Sequence, residues 1–456
     1  MSKDWWRQKS IGIPHIITPL PGPKSIAMHN NASKYIRGLS AQVKLFPVSF
    51  EEGYGITLTD VDGNRYLDFS SGIYVASLGH SHPKISGAVA HWANKLMNCH
   101  DFTTPIKEKL LEKMAQVLPD TLNAVQFYSD GTSAVEAGTR AARAIGNHHE
   151  FISCFRDFHG KSMASVSLAQ MVRGDVYSYG PTRAPGFYMV PRPDPYRPLF
   201  KKEDGTIDTD AYIHFYEDFI REGTVGNVAA FVLEPAQGWG GSIFPPEDFF
   251  PKLKNFCNQR NILLFADEVL TCMGRTGEWL CMNHWNVVPD ILTLGKSFGN
   301  GFPVTAMVVK EEYAQALDKI SASSSYGGNP VACAAALASI EVIEEEQILE
   351  NVRTVGTHFM SRMEKMKSDH PIIGDVKGKG FLLGIELVKD KKTKEPFEEA
   401  GKLVYQKAFG KGLAWIPAGH ILRMSPPLIM DEKFADLGLD MIEESIAEVE
   451  KEYGYQ

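Results

Sequence analysis

Residues 261–269 read NILLFADEV, and residues 289–301 read PDILTLGKSFGNG. In each, a short run of large apolar residues ends in charge: Asp267 and Glu268 in the first, Lys296 in the second. Apolar runs without strict alternation predict strands covered on both faces. NAVQFYS (123–129), FISCFR (151–156), VAAFVLEP (228–235) and VTAMVVK (304–310) are further runs of this kind. Helical patterns such as SAVEAGTRAARAI (133–145) lie between them. Strands separated by helices predict an α/β fold, with a mostly parallel sheet sandwiched by helices, and the pattern extends over about residues 82–334.

Outside that span the composition changes. Residues 1–81 hold Trp5, Trp6 and several prolines, which predict an arm lying over another surface, followed by GYGITLTDVDGNRYLDFSSGI (53–73). There DVDGN breaks two β-branched runs and signals a hairpin. Residues 335–456 hold the strand-like GDVKGKGFLLGIELV (374–388) and ILRMSPPLIM (421–430) and a final amphipathic helix, 431–453. The two ends together are expected to build a smaller α+β domain beside the large one. The Pro-rich GPTRAPGFYMVPRPDPYRPLF (180–200) is too long for an ordinary connection and predicts a functional loop.

The chain of 456 residues carries a net charge of −8 and no long block of Lys or Arg, which argues against nucleic acid as a partner. Its six cysteines are scattered, without a C-x-x-C pair, and no H-E-x-x-H occurs, so buried reduced thiols are expected and a metal site is not. The start lacks the apolar core of a secretory signal, and no stretch is long and apolar enough to span a bilayer. A soluble cytoplasmic protein is expected.

Ligands of open parallel sheets bind beyond the carboxyl ends of the strands, where Asp267 and Lys296 both stand. A lysine in apolar surroundings loses proton affinity, because desolvation penalises the ammonium, and becomes a nucleophile toward a carbonyl. A buried aspartate stays ionised only beside a cation. Pyridoxal 5'-phosphate joins these demands: its aldehyde takes a lysine, and its ring nitrogen needs an acidic partner. Either residue alone reads as a solvated strand-end charge; the phosphate site reverses that reading. YSDGTSAVEAGTRAA (128–142) follows a strand and opens a helix, with Gly131 allowing close backbone approach and Thr132 adding a hydroxyl. Such a helix start favours a phosphate. Ser133 and Glu136 have capping-box spacing, and a plain helix cap is the alternative. FRDFHGKS (155–162) supplies Phe158, suited to stacking on a flat ring, beside His159; a core Phe next to a surface His is the alternative. VLEPAQGWGG (232–241) places Glu234 at another strand end before a Gly-rich turn.

In combination, DEV and GRTG, TLGKS and NGFP, FHG, EPAQG and GGNPVACAAA make the chain resemble the class III, or ω-, aminotransferases of pyridoxal-phosphate fold type I, from about residue 53 to 428. The resemblance implies roles residue by residue. Lys296 matches the lysine that holds the cofactor's aldehyde and shuttles the substrate's proton. Asp267 matches the partner of the ring nitrogen, Gly131 and Thr132 the phosphate pair, and Phe158 the stacking aromatic, with His159 beside it. Glu234 matches a structural acid near the cofactor. Ser325 matches the hydroxyl that reaches the phosphate from the neighbouring subunit, which implies a homodimer with shared active sites. Arg423 matches the arginine that clamps the substrate carboxylate; its alternative is an interdomain salt bridge.

The sequence also departs from that pattern. Leu270 stands where many members carry Gln, and Cys272 and Met273 where GF is usual. Lys161 stands where enzymes acting on 4-aminobutyrate carry Arg, and Trp239 where they carry a switch Glu. Lys161 keeps a charge without the guanidinium fork, and Trp239 presents an apolar wall. These changes lean away from a standard 4-aminobutyrate:2-oxoglutarate enzyme and make pyruvate a fair acceptor; the expected reaction is a ping-pong transamination from an ω-amino acid or amine to a small 2-oxo acid, pyruvate or 2-oxoglutarate. A lyase, decarboxylase or racemase on the same cofactor is the alternative, and a non-catalytic module is disfavoured by the presence of both Lys296 and Asp267.

Overall fold

The computed structural model describes residues 4–169, 172–173, 176–177, 183–417 and 419–455. The first three residues of the N-terminal arm, and Gly180, Pro181 and Thr182 at the head of the Pro-rich stretch, lie outside them. The chain forms two compact units: Lys84–Glu341, and a second made from both ends, Met1–Pro83 with Val342–Gln456.

The larger unit is organised by seven strands: β1 (Leu122–Tyr128), β2 (Glu150–Cys154), β3 (Phe187–Val190), β4 (Val228–Leu233), β5 (Leu263–Glu268), β6 (Ile291–Leu294) and β7 (Thr305–Lys310). They lie in the order β1-β7-β6-β5-β4-β2-β3. The pairs β6/β5, β5/β4, β4/β2 and β2/β3 are parallel, whereas β7 runs antiparallel to both β6 and β1. Helices flank the sheet, as expected of a mostly parallel α/β layer. Every residue of β2, β4, β5 and β6 is buried, which explains their unbroken apolar runs. The Gly131–Gly146 helix lays Ala134, Ala137, Ala141 and Ala142 against Phe265, Ile291 and Met307. Its small residues let it sit close: a Cβ on Gly138 would come within 2.4 Å of the Phe265 ring. The helix stops at Asn147, in the left-handed conformation common beyond helix ends.

The Pro-rich stretch is not all loop, because β3 lies inside it. A run of prolines hides the strand in the sequence, and pairing with β2 from Phe151↔Phe187 to Cys154↔Val190 recruits it as the sheet edge.

In the smaller unit, Thr57–Asp60 and Arg65–Asp68 form the hairpin signalled by DVDGN. Asp60 closes it by accepting from the Asp62 and Asn64 amides at 3.0 and 2.8 Å. Phe50–Tyr54 adds on one side and Leu413–Ala414 on the other. Ile373–Lys379, Leu382–Leu387 and Ile421–Met424 form a second, antiparallel sheet. Trp6 of the arm is buried and meets Phe434 edge-on at 5.6 Å. Four successive residues, Ser71, Gly72, Ile73 and Tyr74, hold φ between 48° and 67°. This conformation is costly for a β-branched residue such as Ile73. The Asp68 carboxylate anchors the turn, accepting from the amides of Ser70 and Ser71 at 2.8 and 2.9 Å.

The cysteines form no disulfide, and Cys99 is half-exposed rather than buried like the other five. Among the described residues no helix is long and apolar enough to cross a membrane, and no cluster of His, Cys, Asp and Glu suits a metal ion.

Candidate active site

The carboxyl ends of β4, β5 and β6 deliver Glu234, Asp267 and Lys296 to one edge of the sheet. Asp267 stands opposite Thr293 in the parallel register. Its Oδ1 accepts from Thr293 Oγ1 at 2.8 Å and from the Val269 amide at 3.1 Å. Its Oδ2 lies 2.8 Å from His159 Nδ1. Burial alone would raise the Asp267 carboxyl, but these bonds and the His159 charge hold it below the usual carboxylate range. Burial also works against a charged His159, yet the bonds and charges of Asp157 and Asp267 outweigh it and push the imidazole up to about 10. His159 is therefore no surface residue: it is 3% exposed and pairs with the strand-end aspartate. Sequence reading placed His159 near the site without finding this bond to Asp267.

Glu234 ties two loops together. Its Oε1 accepts from the Phe158 amide at 2.9 Å and its Oε2 from the Gly238 amide at 3.1 Å. Burial and the nearby Asp157 push its carboxyl up. Glu234 thus sets both the Phe158 loop and the turn that carries Trp239, and the two rings stand 6.3 Å apart at 42°. Leu270 packs under the same turn, where a Cβ on Gly238 would fall 2.1 Å from its Cδ1. Glu268 serves the scaffold: fully buried, it accepts from the Cys281 and Met282 amides at 2.7 and 2.9 Å.

The helix start at Gly131 reaches the same edge. Its N-cap is Asp130, which accepts from the Ser133 amide at 2.9 Å. The expected Ser133–Glu136 capping box does not form. Glu136 instead points across to the next short helix and accepts from the amides of Ala164 and Ser165 at 2.8 and 3.1 Å. Spacing alone cannot tell a local cap from a tertiary one. The Gly131 and Thr132 amides precede the first helical bond, Ala134 N to Asp130 O, and so are available to an anion.

Val269 joins this helix start to the lysine segment. A Cβ on Gly131 or on Gly295 would come within 2.9 Å of Val269 Cγ1. Lys296 itself is half-buried, adopts a left-handed φ of 45°, and lies between the buried Leu294 and Phe298. Gly160 closes the other side with φ +130°, and a Cβ there would lie 2.3 Å from Thr132 Oγ1. Gly160→Ala is therefore expected to destabilise the fold by about 1–3 kcal/mol and to weaken cofactor retention. The unfolding midpoint and the dissociation constant check this; if both stay unchanged, the close approach is refuted.

The remaining candidates lie further out. Lys161 is exposed. Ser325 is exposed and its carbonyl accepts from Asn98 Nδ2 at 2.9 Å. Arg423 belongs to the smaller unit, where it is 3% exposed on the Ile421–Met424 strand. Its Nε and Nη2 reach the Ile416 carbonyl at 3.4 and 3.3 Å, and its guanidinium stands 5.7 Å from the Tyr74 ring centre. Sequence reading missed Asp157, Arg192, Gln237 and Val269, whose importance is visible only in three dimensions.

This edge suits pyridoxal phosphate on its own chemistry. A buried carboxylate kept ionised fits a ring nitrogen, a half-buried lysine follows the adjacent strand, and free helix-start amides with glycine-tight walls fit a phosphate. The comparisons agree. The family model Aminotransferase class-III matches residues 39–446. The chain is 34% identical over 423 residues to the leucine/methionine racemase of Thermococcus litoralis, covering 90% of this chain and 93% of that one. It is 35% identical over 414 residues to the 5-aminovalerate aminotransferase of Pseudomonas putida, covering 89% and 95%. The omega transaminase from Pseudomonas jessenii in complex with PMP superimposes with a TM-score of 0.87 at 26% identity, covering 94% of this chain and 99% of that chain.

The chain belongs to the class III aminotransferases. Its cofactor is pyridoxal 5'-phosphate, and it is a pyridoxal-phosphate-dependent aminotransferase.

Proposed function

We propose that this enzyme moves the amino group of an ω-amino acid or simple amine to a small 2-oxo acid, pyruvate or 2-oxoglutarate, in two successive half-reactions. The observation that carries the reading is the buried Asp267, bonded to Thr293 and His159, one strand away from Lys296. Bound pyridoxal phosphate supplies an aldehyde and an electron-withdrawing ring. Lys296 Nζ would hold the cofactor at rest and, once displaced by the donor's amine, would be free to take the proton from the donor's amine-bearing carbon. Asp267 keeps the ring nitrogen's proton in place. Phe158, its amide fixed by Glu234, would stack on the cofactor ring, and the amides of Gly131 and Thr132 would hold the phosphate. Trp239 and the exposed Lys161 bound the donor, Lys161 favouring one with an anionic tail.

Arg423 clamps the acceptor's carboxylate with its planar fork. Arg423→Ala should lower kcat/KM for the 2-oxo acid about 10- to 100-fold, as a lost bond to a charged group does, while a donor amine without a carboxylate is little affected. Equal losses in both half-reactions would show that it is no clamp.

The test of the reaction itself is an incubation with donor alone. A transaminase releases one carbonyl product per site and halts until a 2-oxo acid is added. The second reading, amino-acid racemisation, is favoured by the 34% identity to a protein named as a leucine/methionine racemase. A racemase keeps inverting a chiral amino acid with no acceptor present, so the same experiment separates the two.

We further read the enzyme as a cytoplasmic homodimer with shared active sites. Around Ser325 the exposed surface is apolar, with Met97, Phe102 and Tyr326 67%, 78% and 68% accessible. A second copy covering this patch would bring the partner's serine hydroxyl toward a phosphate, and the mass in solution tests it.

A further inference from the structure

The buried cluster around His159 holds more carboxylate than one ring nitrogen requires. Asp157, 2% exposed, places Oδ2 3.6 Å from His159 Nε2, while His159 Nδ1 binds Asp267 on the other side of the ring. The distance to Asp157 is an ion-pair distance; Nε2 is buried and has no hydrogen-bond partner among the described residues. Asp157 is itself fixed. Gln237 Nε2 donates to its Oδ1 at 2.6 Å, and the Cys154 amide to its Oδ2 at 3.2 Å. Arg192 pairs with it as well: Nη1 stands 3.4 Å from Asp157 Oδ1, while the shorter Arg192 bonds, 2.6 and 2.7 Å, go to the carbonyls of Glu234 and Pro235.

The charges explain why a second aspartate is there. One imidazolium beside Asp267 would cancel that carboxylate and leave little attraction for a cationic ring nitrogen. We propose that Asp157 is a positioning residue: it supplies the second negative charge of an Asp157–His159–Asp267 chain, so that the chain as a whole keeps one negative charge for the protonated cofactor ring. The inference rests on the role proposed for Asp267. Arg192 pairs with Asp157, and Glu234, whose carboxyl burial pushes up to about 7, faces the same cluster; at pH 8 Glu234 is ionised and offsets Arg192, leaving the balance on the three. The elevated proton affinity of His159 accords with this arrangement. Loss of the Asp157 charge removes one of the two carboxylates that hold the His159 proton, and with a cationic ring bound it leaves a surplus positive charge that release of that proton relieves. The neutral ring still donates to Asp267 but no longer stabilises it as a cation.

The first measurement uses native protein freed of cofactor, with labelled histidine and the His159 nitrogen signals assigned from His159→Asn. We expect an imidazolium at pH 8, and in Asp157→Asn a proton affinity about 10- to 1,000-fold lower, the usual effect of losing an opposite charge at this range. A neutral His159 at pH 7 in the native protein overturns the inference, whether or not the variant folds. The second measurement is the affinity and the absorption pH profile of added pyridoxal phosphate. Both Asp157→Asn and Asp267→Asn should weaken binding and move the profile. If only Asp267→Asn does so, the inference falls and the reading of Asp267 stands. If Asp267→Asn moves neither, the reading of Asp267 falls, and the histidine signals still report on the Asp157–His159 pair.

Discussion

Lys296→Ala is expected to lower turnover by about 10⁴-fold or more and to release the cofactor on dialysis. A positioned acid or base is worth about 10²–10⁴-fold, and here the same amine also holds the cofactor. Lys296→Arg shows that charge alone does not suffice, since arginine keeps the positive charge but can neither condense with the aldehyde nor act as a base; it should be nearly as inactive. The scaffold should tolerate both changes. Lys296 is half-buried at a strand end, and its left-handed backbone is held by the Gly299 amide bonding its carbonyl at 3.1 Å. Borohydride treatment followed by peptide mass mapping should find the cofactor on residue 296 of the native enzyme and nowhere in the variants. Retained turnover in Lys296→Ala, or a label on another lysine, would end the proposed mechanism.

Asp267→Asn should carry the second largest effect, a fall in kcat of about 10²–10³-fold, the size seen when one preorganised electrostatic contact is removed. The amide is nearly isosteric and can still accept from Thr293, so geometry survives while charge is lost. Two consequences follow from its neighbours. The ring nitrogen loses its anionic partner, and His159 is left as a buried cation with only Asp157 opposite. Thermal stability should therefore fall alongside rate, and the cofactor's absorption should become more sensitive to pH. Asp267→Glu restores charge but lengthens the side chain by a methylene, and should recover part of the rate. An Asn variant with native kcat and native absorption would contradict the assignment.

Much of this site was legible because its residues stand at the ends of apolar strand runs, where an open sheet leaves its ligands room. β5 and β6 announce themselves by composition, and Asp267 and Lys296 by position. What escaped the sequence depends on partners distant along the chain. Glu136 looks like a local cap for Ser133, yet the Ala164 and Ser165 amides are what it meets. β3 is masked by surrounding prolines and exists because β2 offers it an edge. His159 reads in the sequence as a neighbour of Phe158 or a surface histidine and Asp157 carries no signal, and only the fold brings His159 to Asp267, 108 residues away. Gly160 and Gly295 look like ordinary loop glycines until the neighbouring side chains leave no space for a Cβ. Family resemblance supplied roles that these physical signals could not, notably for Ser325 and Arg423.

The smaller unit is woven from the two ends of the polypeptide, and this bears on how the enzyme is made. Leu67 pairs with Leu413, and Ser71 Oγ donates to the Ser425 carbonyl at 2.7 Å. At a ribosomal pace of about 5–20 residues per second, the early hairpin waits roughly 20–70 s for those partners to be synthesised. During that interval its edge is bare and its costly left-handed turn lacks the Ser425 contact that helps hold it. Truncated or stalled chains should consequently be the aggregation-prone species, and chaperone demand should fall on the nascent amino-terminal segment rather than on the finished protein.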